Sequence, residues 1–164
     1  MNIEMLGVDA LIPYVNNARV HSDEQVTQIA SSIKEFGFNV PILIDKDNGV
    51  IAGHGRLMAA KKLHHPEVPC IRIEHLTETQ KKAYILADNK IALNSDWDVD
   101  LLRLELGELD SQSYNLELTG FVGDDLTEAM FGKELKQESP EDFKEVDESD
   151  MQHKCPRCGF EFDE

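Results

Sequence analysis

Residues 50–60 read VIAGHGRLMAA, and this stretch decides how the chain is interpreted. Two hydrophobic residues and an alanine run into GHGR (53–56), and good helix formers follow it. The pattern predicts a strand that ends in a glycine turn, and the turn opens a helix. The first amides of a helix lack partners and lie at its positive end, so the turn can hold an anion. A tightly packed turn without a ligand is the alternative.

The residue types within GHGR suit a phosphate in different ways. Gly53 and Gly55 carry no side chain that would keep a phosphate from the amides. Arg56 supplies a planar fork that matches phosphate oxygens. His54 can donate a hydrogen bond or transfer a proton near neutral pH. The turn therefore favours phosphate chemistry.

Strand and helix patterns alternate on both sides of the turn. Capping boxes, with Gln three residues after Ser22 and after Thr77, mark the starts of two helices. The tripeptide DNG (47–49) is a strong hairpin signal. We predict strands at 3–12, 40–45, 50–52 and 68–74, and helices at 22–37, 55–63, 77–93, 98–109 and 120–131. The fold class is α+β (α/β): a small mixed sheet flanked by helices, followed by acidic helices and a flexible tail.

The order of these motifs resembles the N-terminal domain of the ParB/sulfiredoxin superfamily over about residues 3–95. LIPYVNNAR (11–19) resembles the ParB segment that ends in Pro-Arg, and QIASSIKEFGFNVPILI (28–44) resembles the helix, glycine and strand that follow. VIAGHGRLMAAKKL (50–63) stands where ParB has a Gly-Glu-Arg-Arg box. ADNKIA (87–92) stands where ParB has a Glu-Asn box.

The resemblance implies a nucleotide site. In that family the glycine-arginine box grips nucleotide phosphates, and the carboxylate-asparagine box helps to hold a divalent metal. Carried over by position, the phosphate cradle consists of Gly53, His54, Gly55 and Arg56, with Arg19 as a further contact. Asp88 and Asn89 are then on the metal side, and His54 and Asp88 are the catalytic candidates. The implied cofactor is ATP or CTP with Mg²⁺, which takes carboxylate and phosphate oxygens as ligands. A solvated helix face is the alternative for Asp88 and Asn89.

The variant GHGR followed by LADNKIALNSDWD (86–98) looks most like the ParB-like nuclease domain that precedes a DNA methyltransferase in phage and prophage proteins. The implied function is a nucleotide-binding accessory module of a DNA-modification or DNA-maintenance system. Its implied partners are a DNA-modifying enzyme, or DNA indirectly. A stand-alone Mg²⁺-dependent nucleotide hydrolase or DNase is the alternative, and a phosphotransferase is a weaker one. Since no cysteine lies near His54, sulfiredoxin reduction is not expected.

The net charge of −16 is unevenly distributed. Residues 1–95 hold 11 acidic and 10 basic residues, whereas residues 96–164 hold 21 acidic and 6 basic residues. The second part would repel phosphate backbones, so the whole chain is not a simple electrostatic DNA binder. The acidic part serves solubility, or it mimics nucleic acid or docks on a basic partner.

Four regions follow from these patterns: a ParB/sulfiredoxin-like domain (1–95), an acidic helical extension (96–131), a linker (132–152) and a tail (153–164). The linker has few apolar residues, so we expect it to be disordered. The tail carries half a zinc ribbon, with Cys155, Cys158 and His153 as candidate Zn²⁺ ligands. A second copy of the chain or another partner would complete the site, and a remnant that binds no metal is the alternative.

Cysteine content and hydropathy suggest the compartment. Three cysteines make a poor disulfide framework, and the N-terminus does not read as a signal peptide. No run of about 18 apolar residues is present, so we expect no membrane span. A cytoplasmic location is therefore expected.

Overall fold

The computed structural model describes residues 2–132 and two short strands, His153–Lys154 and Glu161–Phe162. The chain divides into two compact units, 1–132 and 133–164. In the second unit the two strands pair antiparallel. The linker predicted at 132–152 lies outside the described residues except for Gly132, and so do Cys155 and Cys158.

The first unit contains a four-stranded mixed sheet. Its strands are β1 (Ile3–Gly7), β2 (Ile42–Ile44), β3 (Val50–Ala52) and β4 (Glu67–Arg72), in the order β1-β4-β2-β3. Strand β1 pairs antiparallel with β4, β4 parallel with β2, and β2 antiparallel with β3. The predicted mixed sheet is therefore confirmed.

The first strand is shorter than the predicted span of 3–12. It ends at Gly7, and Val8–Ala10 form a 3₁₀ turn. The strand ends there because its partner β4 begins at Glu67, opposite Gly7. The next amide, that of Val8, donates instead to the carbonyl of Pro66 at 3.1 Å. Val8 and Leu11 then turn into the core.

The hairpin predicted from DNG joins β2 to β3. Asp45 Oδ1 accepts hydrogen bonds from the amides of Asp47 at 2.9 Å and Gly49 at 2.7 Å. Asn48 has a φ of 64°, a left-handed conformation that asparagine tolerates better than most residues. The carboxylate of Asp45 thus stabilises the turn by accepting hydrogen bonds from two of its amides.

Within the described residues, five α-helices follow the predicted pattern. They are α1 (Asp23–Phe36), α2 (His54–Lys62), α3 (Glu78–Ile91), α4 (Val99–Ser111) and α5 (Gly123–Phe131). Thr77 and Gln80 form both hydrogen bonds of a capping box at the start of α3. At α1 only half of the predicted box forms: Ser22 Oγ accepts from the Gln25 amide, and the Gln25 side chain bonds His21 instead.

Helix α2 lies between the sheet and α1. Its residues Leu57 and Ala60 belong to the core cluster of the strands, and Ala59 belongs to the cluster formed with α1. Small side chains on two sides of a short helix allow both neighbours to approach closely. The glycine turn that opens α2 is therefore fixed by the core on both sides.

Candidate functional site

The turn between β3 and α2 begins the site. Gly53 is the N-cap of α2 and has φ 100° and ψ 26°, a left-handed conformation that glycine adopts without strain. A Cβ at this position would lie 3.0 Å from Arg56 Nη2. No side chain caps the helix, so its first amides remain available to an anion.

His54 is turned inward and is 9% exposed. Its Nε2 accepts a hydrogen bond from the amide of Tyr14 at 3.2 Å. Neutral imidazole can accept there only when its proton is on Nδ1. Burial lowers the pKa of His54 below its usual value, and the nearby His21 lowers it further. His54 is thus a neutral anchor for the 14–21 loop, and its predicted catalytic role stays a prediction.

Arg56 is the partly buried cation of the site. Its Nη2 donates to the carbonyl of Pro41 at 3.3 Å, a long contact. Its Nε is buried and has no hydrogen-bond partner among the described residues. Burial lowers the pKa of Arg56, and the negative charge of Asp88 opposes this shift. Arginine stays protonated at any physiological pH, so the site holds a positive charge with too few partners.

Gly55 packs closely against α1 and the residues just before it. A Cβ there would lie 2.9 Å from Ile29 Cδ1 and 3.1 Å from His21 Cε1. Both neighbours belong to α1 or to the residues just before it, so the missing side chain is what lets α1 approach α2. The prediction that Gly55 also leaves room for a phosphate stays a prediction.

Helix α3 brings Asp88 and Asn89 to the same place. Asn89 Nδ2 donates to the Ile85 carbonyl at 2.8 Å, which leaves Oδ1 as the ligand atom of its side chain. Arg19 Nη1 donates to the Asn89 backbone carbonyl at 3.3 Å. Arg19 thus ties the loop to α3, and the lining of the cavity described next does not include it. Its predicted phosphate contact stays a prediction.

These residues surround a cavity of about 160 Å³. Its lining combines the predicted Gly53, His54, Gly55, Arg56, Asp88 and Asn89 with Asn17, His21, Ile29 and Ala52. Drug-sized ligands occupy roughly 300–1,000 Å³, so this cavity is too small to enclose a ligand of that size completely. Sequence reasoning missed His21, although its place just before the N-cap Ser22 was a signal.

Near its N-terminal end, helix α3 is held by an ion pair between Lys81 and Asp45. Lys81 Nζ contacts Asp45 Oδ2 at 2.8 Å, and both side chains are mostly buried, at 17% and 16% exposure. Burial alone would raise the pKa of Asp45, but the hydrogen bonds from Lys81 and from the Gly49 and Asp47 amides lower it. This ion pair attaches α3 to the β2–β3 hairpin.

Two further observations concern groups of metal-ligating side chains and the length of the apolar helices. Within the part of the chain that the structure describes, no group of three His, Cys, Asp or Glu side chains could hold a metal ion alone. The predicted Zn²⁺ ligands Cys155 and Cys158 lie outside that part, and the His153 side chain is not described, so the zinc site stays a prediction. None of the described helices is long and apolar enough to cross a membrane.

Comparison with known proteins agrees with this architecture. A curated relative, the ParB-like nuclease domain-containing protein YnaK of Escherichia coli K12, is 53% identical over 72 residues, which are 44% of this chain and 83% of that protein. A probable chromosome-partitioning protein ParB of Helicobacter pylori is 32% identical over 85 residues, which are 49% of this chain and only 29% of that protein.

A solved structure shares the fold over most of the chain. Caulobacter crescentus ParB, C-terminally truncated and complexed with CTP-gamma-S, superposes with a TM-score of 0.58 at 19% identity. The match covers 81% of this chain and 72% of that one. The family-level match covers residues 1–90, close to the predicted span of 3–95. The chain therefore belongs to the ParB N-terminal domain family.

Proposed function

We propose that this chain is a nucleotide-binding module that holds the phosphates of a nucleoside triphosphate at the start of α2. The observation that carries the proposal is the state of Arg56. The side chain is partly buried, its Nε is buried and lacks a partner, and no carboxylate forms an ion pair with it among the described residues.

A buried charge without a partner is costly, and a protein keeps it where a ligand supplies the opposite charge. Arg56 lies beside the uncapped amides of α2, and both attract the same kind of group. Phosphate oxygens satisfy an arginine fork and helix amides together. The cavity volume agrees with a phosphate chain and leaves the base and ribose outside it.

The residues on α3 fit a divalent cation that would accompany the phosphates. Asp88 is exposed and forms no ion pair within the described part of the chain, and Asn89 keeps its Oδ1 for a ligand. Mg²⁺ usually binds through one or two carboxylates together with substrate phosphates. Asp88 and Asn89 would hold the ion, which would neutralise phosphate charge. This chain's own contribution is to position the phosphates with Arg56 and the amides.

CTP and ATP are the candidate ligands. The C. crescentus ParB structure of the same fold contains CTP-gamma-S, which favours CTP as the first ligand to test. Because the two sequences are only 19% identical, the likeness supports the fold alone. Which nucleotide base this chain prefers is a question for experiment.

We further propose that the module serves a DNA-modification or DNA-maintenance system through a protein partner, a phage or prophage DNA methyltransferase being the specific candidate. Residues 96–131 hold ten acidic residues and only one basic residue, Arg103. Arg103 itself is bound to the Met130 carbonyl at 3.1 Å. This surface favours a basic protein partner over direct contact with DNA.

A calorimetric titration of the full chain with CTP, ATP and GTP, each with and without Mg²⁺, tests the nucleotide site. We expect at least one triphosphate to bind tighter than millimolar, and Mg²⁺ to strengthen that binding. If none binds to that level, the turn is a packing device and the proposal is wrong.

A second candidate is a metal-dependent nuclease or nucleotide hydrolase. The name of the relative YnaK, 53% identical, refers to a nuclease domain, which is the observation in its favour. Nicking of supercoiled plasmid, or release of phosphate from a nucleotide, would support it if the activity required Mg²⁺ and was lost in Asp88→Ala. A purified protein inactive in both assays would exclude it.

A further inference from the structure

We propose that the acidic helical extension forms one wall of the nucleotide site, where it closes a second cavity that holds the base and ribose. The inference rests on the proposed function, because the phosphates of the same ligand lie at the start of α2. It goes beyond that function, since the family-level match ends at residue 90 and this wall is formed by residues 117–120.

The second cavity adjoins the cavity at the GHGR turn. Its volume is about 560 Å³, within the roughly 300–1,000 Å³ that ligand pockets usually have. Arg56 and Ile29 line both cavities. Gln25 of the second cavity is hydrogen-bonded to His21 of the first, with 2.9 Å between Oε1 and Nδ1. A ligand whose phosphates contact Arg56 in the smaller cavity can therefore extend into the larger one.

Three segments of the chain form the walls of the second cavity. One face of α1 supplies residues three or four apart, and the segment 37–40 follows it. The third wall is the 3₁₀ turn Leu116–Thr119 of the extension, together with Gly120. The Tyr114 hydroxyl lies 3.4 Å from Glu35 Oε1 of α1, and the rings of Trp97 and Phe121 pack edge to face with centroids 5.4 Å apart. Contacts on both sides of the turn thus hold it in place.

The charges of the lining decide which part of the ligand lies where. Among the described lining residues, Arg56 carries the only positive charge and Glu117 the only negative charge. Glu117 repels phosphates from the larger cavity, and Arg56 attracts them to the border with the smaller one. The uncharged part of a nucleotide, its base and ribose, is therefore the part that the larger cavity accepts.

The remaining lining suits that uncharged part. Phe36 is 51% exposed, so its ring is accessible to a base, and bases stack on aromatic rings. Asn39 Nδ2 donates to the Phe36 carbonyl at 2.6 Å, which leaves Asn39 Oδ1 to accept from a ligand. The half-buried Leu118 supplies apolar surface from the side of the extension.

Calorimetric titration of the full chain with a nucleotide and with inorganic tripolyphosphate, each with Mg²⁺, tests the inference. The nucleotide is CTP or ATP, whichever wild type binds more tightly. Tripolyphosphate lacks a base and ribose, so it reports on the smaller cavity alone. We expect Leu118→Ala to lower nucleotide affinity about threefold to tenfold and to leave tripolyphosphate affinity unchanged, because only the base and ribose lose contact area. Leu104→Ala is the matched control: this leucine of α4 is exposed, lies outside the cavity lining and should affect neither ligand.

The outcomes separate this inference from the proposed function. Unchanged nucleotide affinity in Leu118→Ala, or an equal loss for both ligands, would overturn the inference and leave the phosphate site standing. If wild type binds neither a nucleoside triphosphate nor tripolyphosphate, the proposed function fails and the inference fails with it.

Hydrogen exchange in wild type provides a measurement that does not depend on the folding of a variant, which circular dichroism checks. The amides of Leu118 and Gly120 donate to the carbonyls of Asn115 and Glu117 within the turn. Both amides should exchange more slowly with the nucleotide bound than with tripolyphosphate bound, because only the nucleotide contacts the turn. Equal exchange with the two ligands would contradict the inference.

Discussion

Helices α2 and α3 both line the same cavity, but the rest of the molecule holds them in different ways. Five of the nine residues of α2 are buried, whereas Ile85 is the only buried residue among the 14 of α3. Helix α3 depends on Ile85, on the Lys81–Asp45 ion pair and on the bond from Arg19 to Asn89. The proposed phosphate side of the site is therefore built into the core, and the proposed metal side is attached by a few contacts.

The largest effect is expected from breaking the α1–α2 contact. Gly55→Val places a branched side chain where even a Cβ would lie 2.9 Å from Ile29 Cδ1. Overpacking of this kind costs about 1–3 kcal/mol of the free energy of unfolding, measured by urea denaturation. Gly107→Val in α4 is the control, because nothing lies within 4 Å of a Cβ there, and it should change stability by less than about 1 kcal/mol. Equal effects in both variants would contradict a packing role for Gly55.

The second effect concerns binding without loss of the fold. Arg56→Ala removes the guanidinium and leaves the turn at Gly53 intact. We expect triphosphate affinity to fall by about tenfold to a hundredfold, the value of a charge-assisted bidentate contact of roughly 1.5–3 kcal/mol. Stability should change little, since the lost side chain had an unpaired Nε. Lys61→Ala, an exposed residue in the last turn of α2, is the control. Affinity in Arg56→Ala equal to wild type would refute the carry-over from the family.

The third effect tests how weakly α3 is attached. Lys81→Met leaves the mostly buried Asp45 carboxylate without its cation. We expect a loss of about 1–2 kcal/mol, seen in hydrogen exchange as faster exchange of α3 amides while α2 amides keep their protection. Lys82→Met is the matched control, because Lys82 is exposed. Uniform loss of protection in both helices would show that α3 is part of the core after all.

Acidification should act on the same ion pair. The pKa of Asp45 is lowered below its usual 3.8 in the folded state, so its contribution is present above that value and is lost as the pH falls through the folded pKa. The pKa of Lys81 is raised above 10.5, so its contribution is lost only as the pH rises past that value. Protection of α3 in wild type should therefore decline below about pH 4, ahead of α2. Lys81→Met should show a smaller decline, because only the Gly49 and Asp47 amides then lower the pKa of Asp45.

The smallest effect distinguishes a metal-side residue from a simple surface charge. Asp88→Asn should weaken triphosphate binding several-fold when Mg²⁺ is present, because it removes a carboxylate ligand. Without Mg²⁺ the same variant should bind slightly tighter, because a negative charge near the phosphates is gone. Titrations with and without Mg²⁺ measure the direction of the change in triphosphate affinity under each condition. The same sign under both conditions would place Asp88 outside the metal site.

Much of the fold was predictable from the sequence because its signals act over a few residues. The Thr77–Gln80 box, the DNG hairpin and the glycine that ends α1 each depend on neighbours within one turn, and all three form as predicted. The prediction for the first strand was wrong beyond Gly7. The length of that strand is set by its partner strand, which lies about 60 residues away in sequence.

The sequence by itself determined the element order and the residue types of the GHGR turn, since propensity, caps and residue type are local properties. Tertiary structure alone decided which atoms meet. His54 bonds an amide 40 residues away, and Arg19 bonds a carbonyl 70 residues away instead of lining the cavity. His21 joins the cavity where the residues just before α1 pack closely against Gly55 of α2. Such contacts depend on how elements pack, and packing is settled by the shape of the whole core rather than by any short stretch of residues.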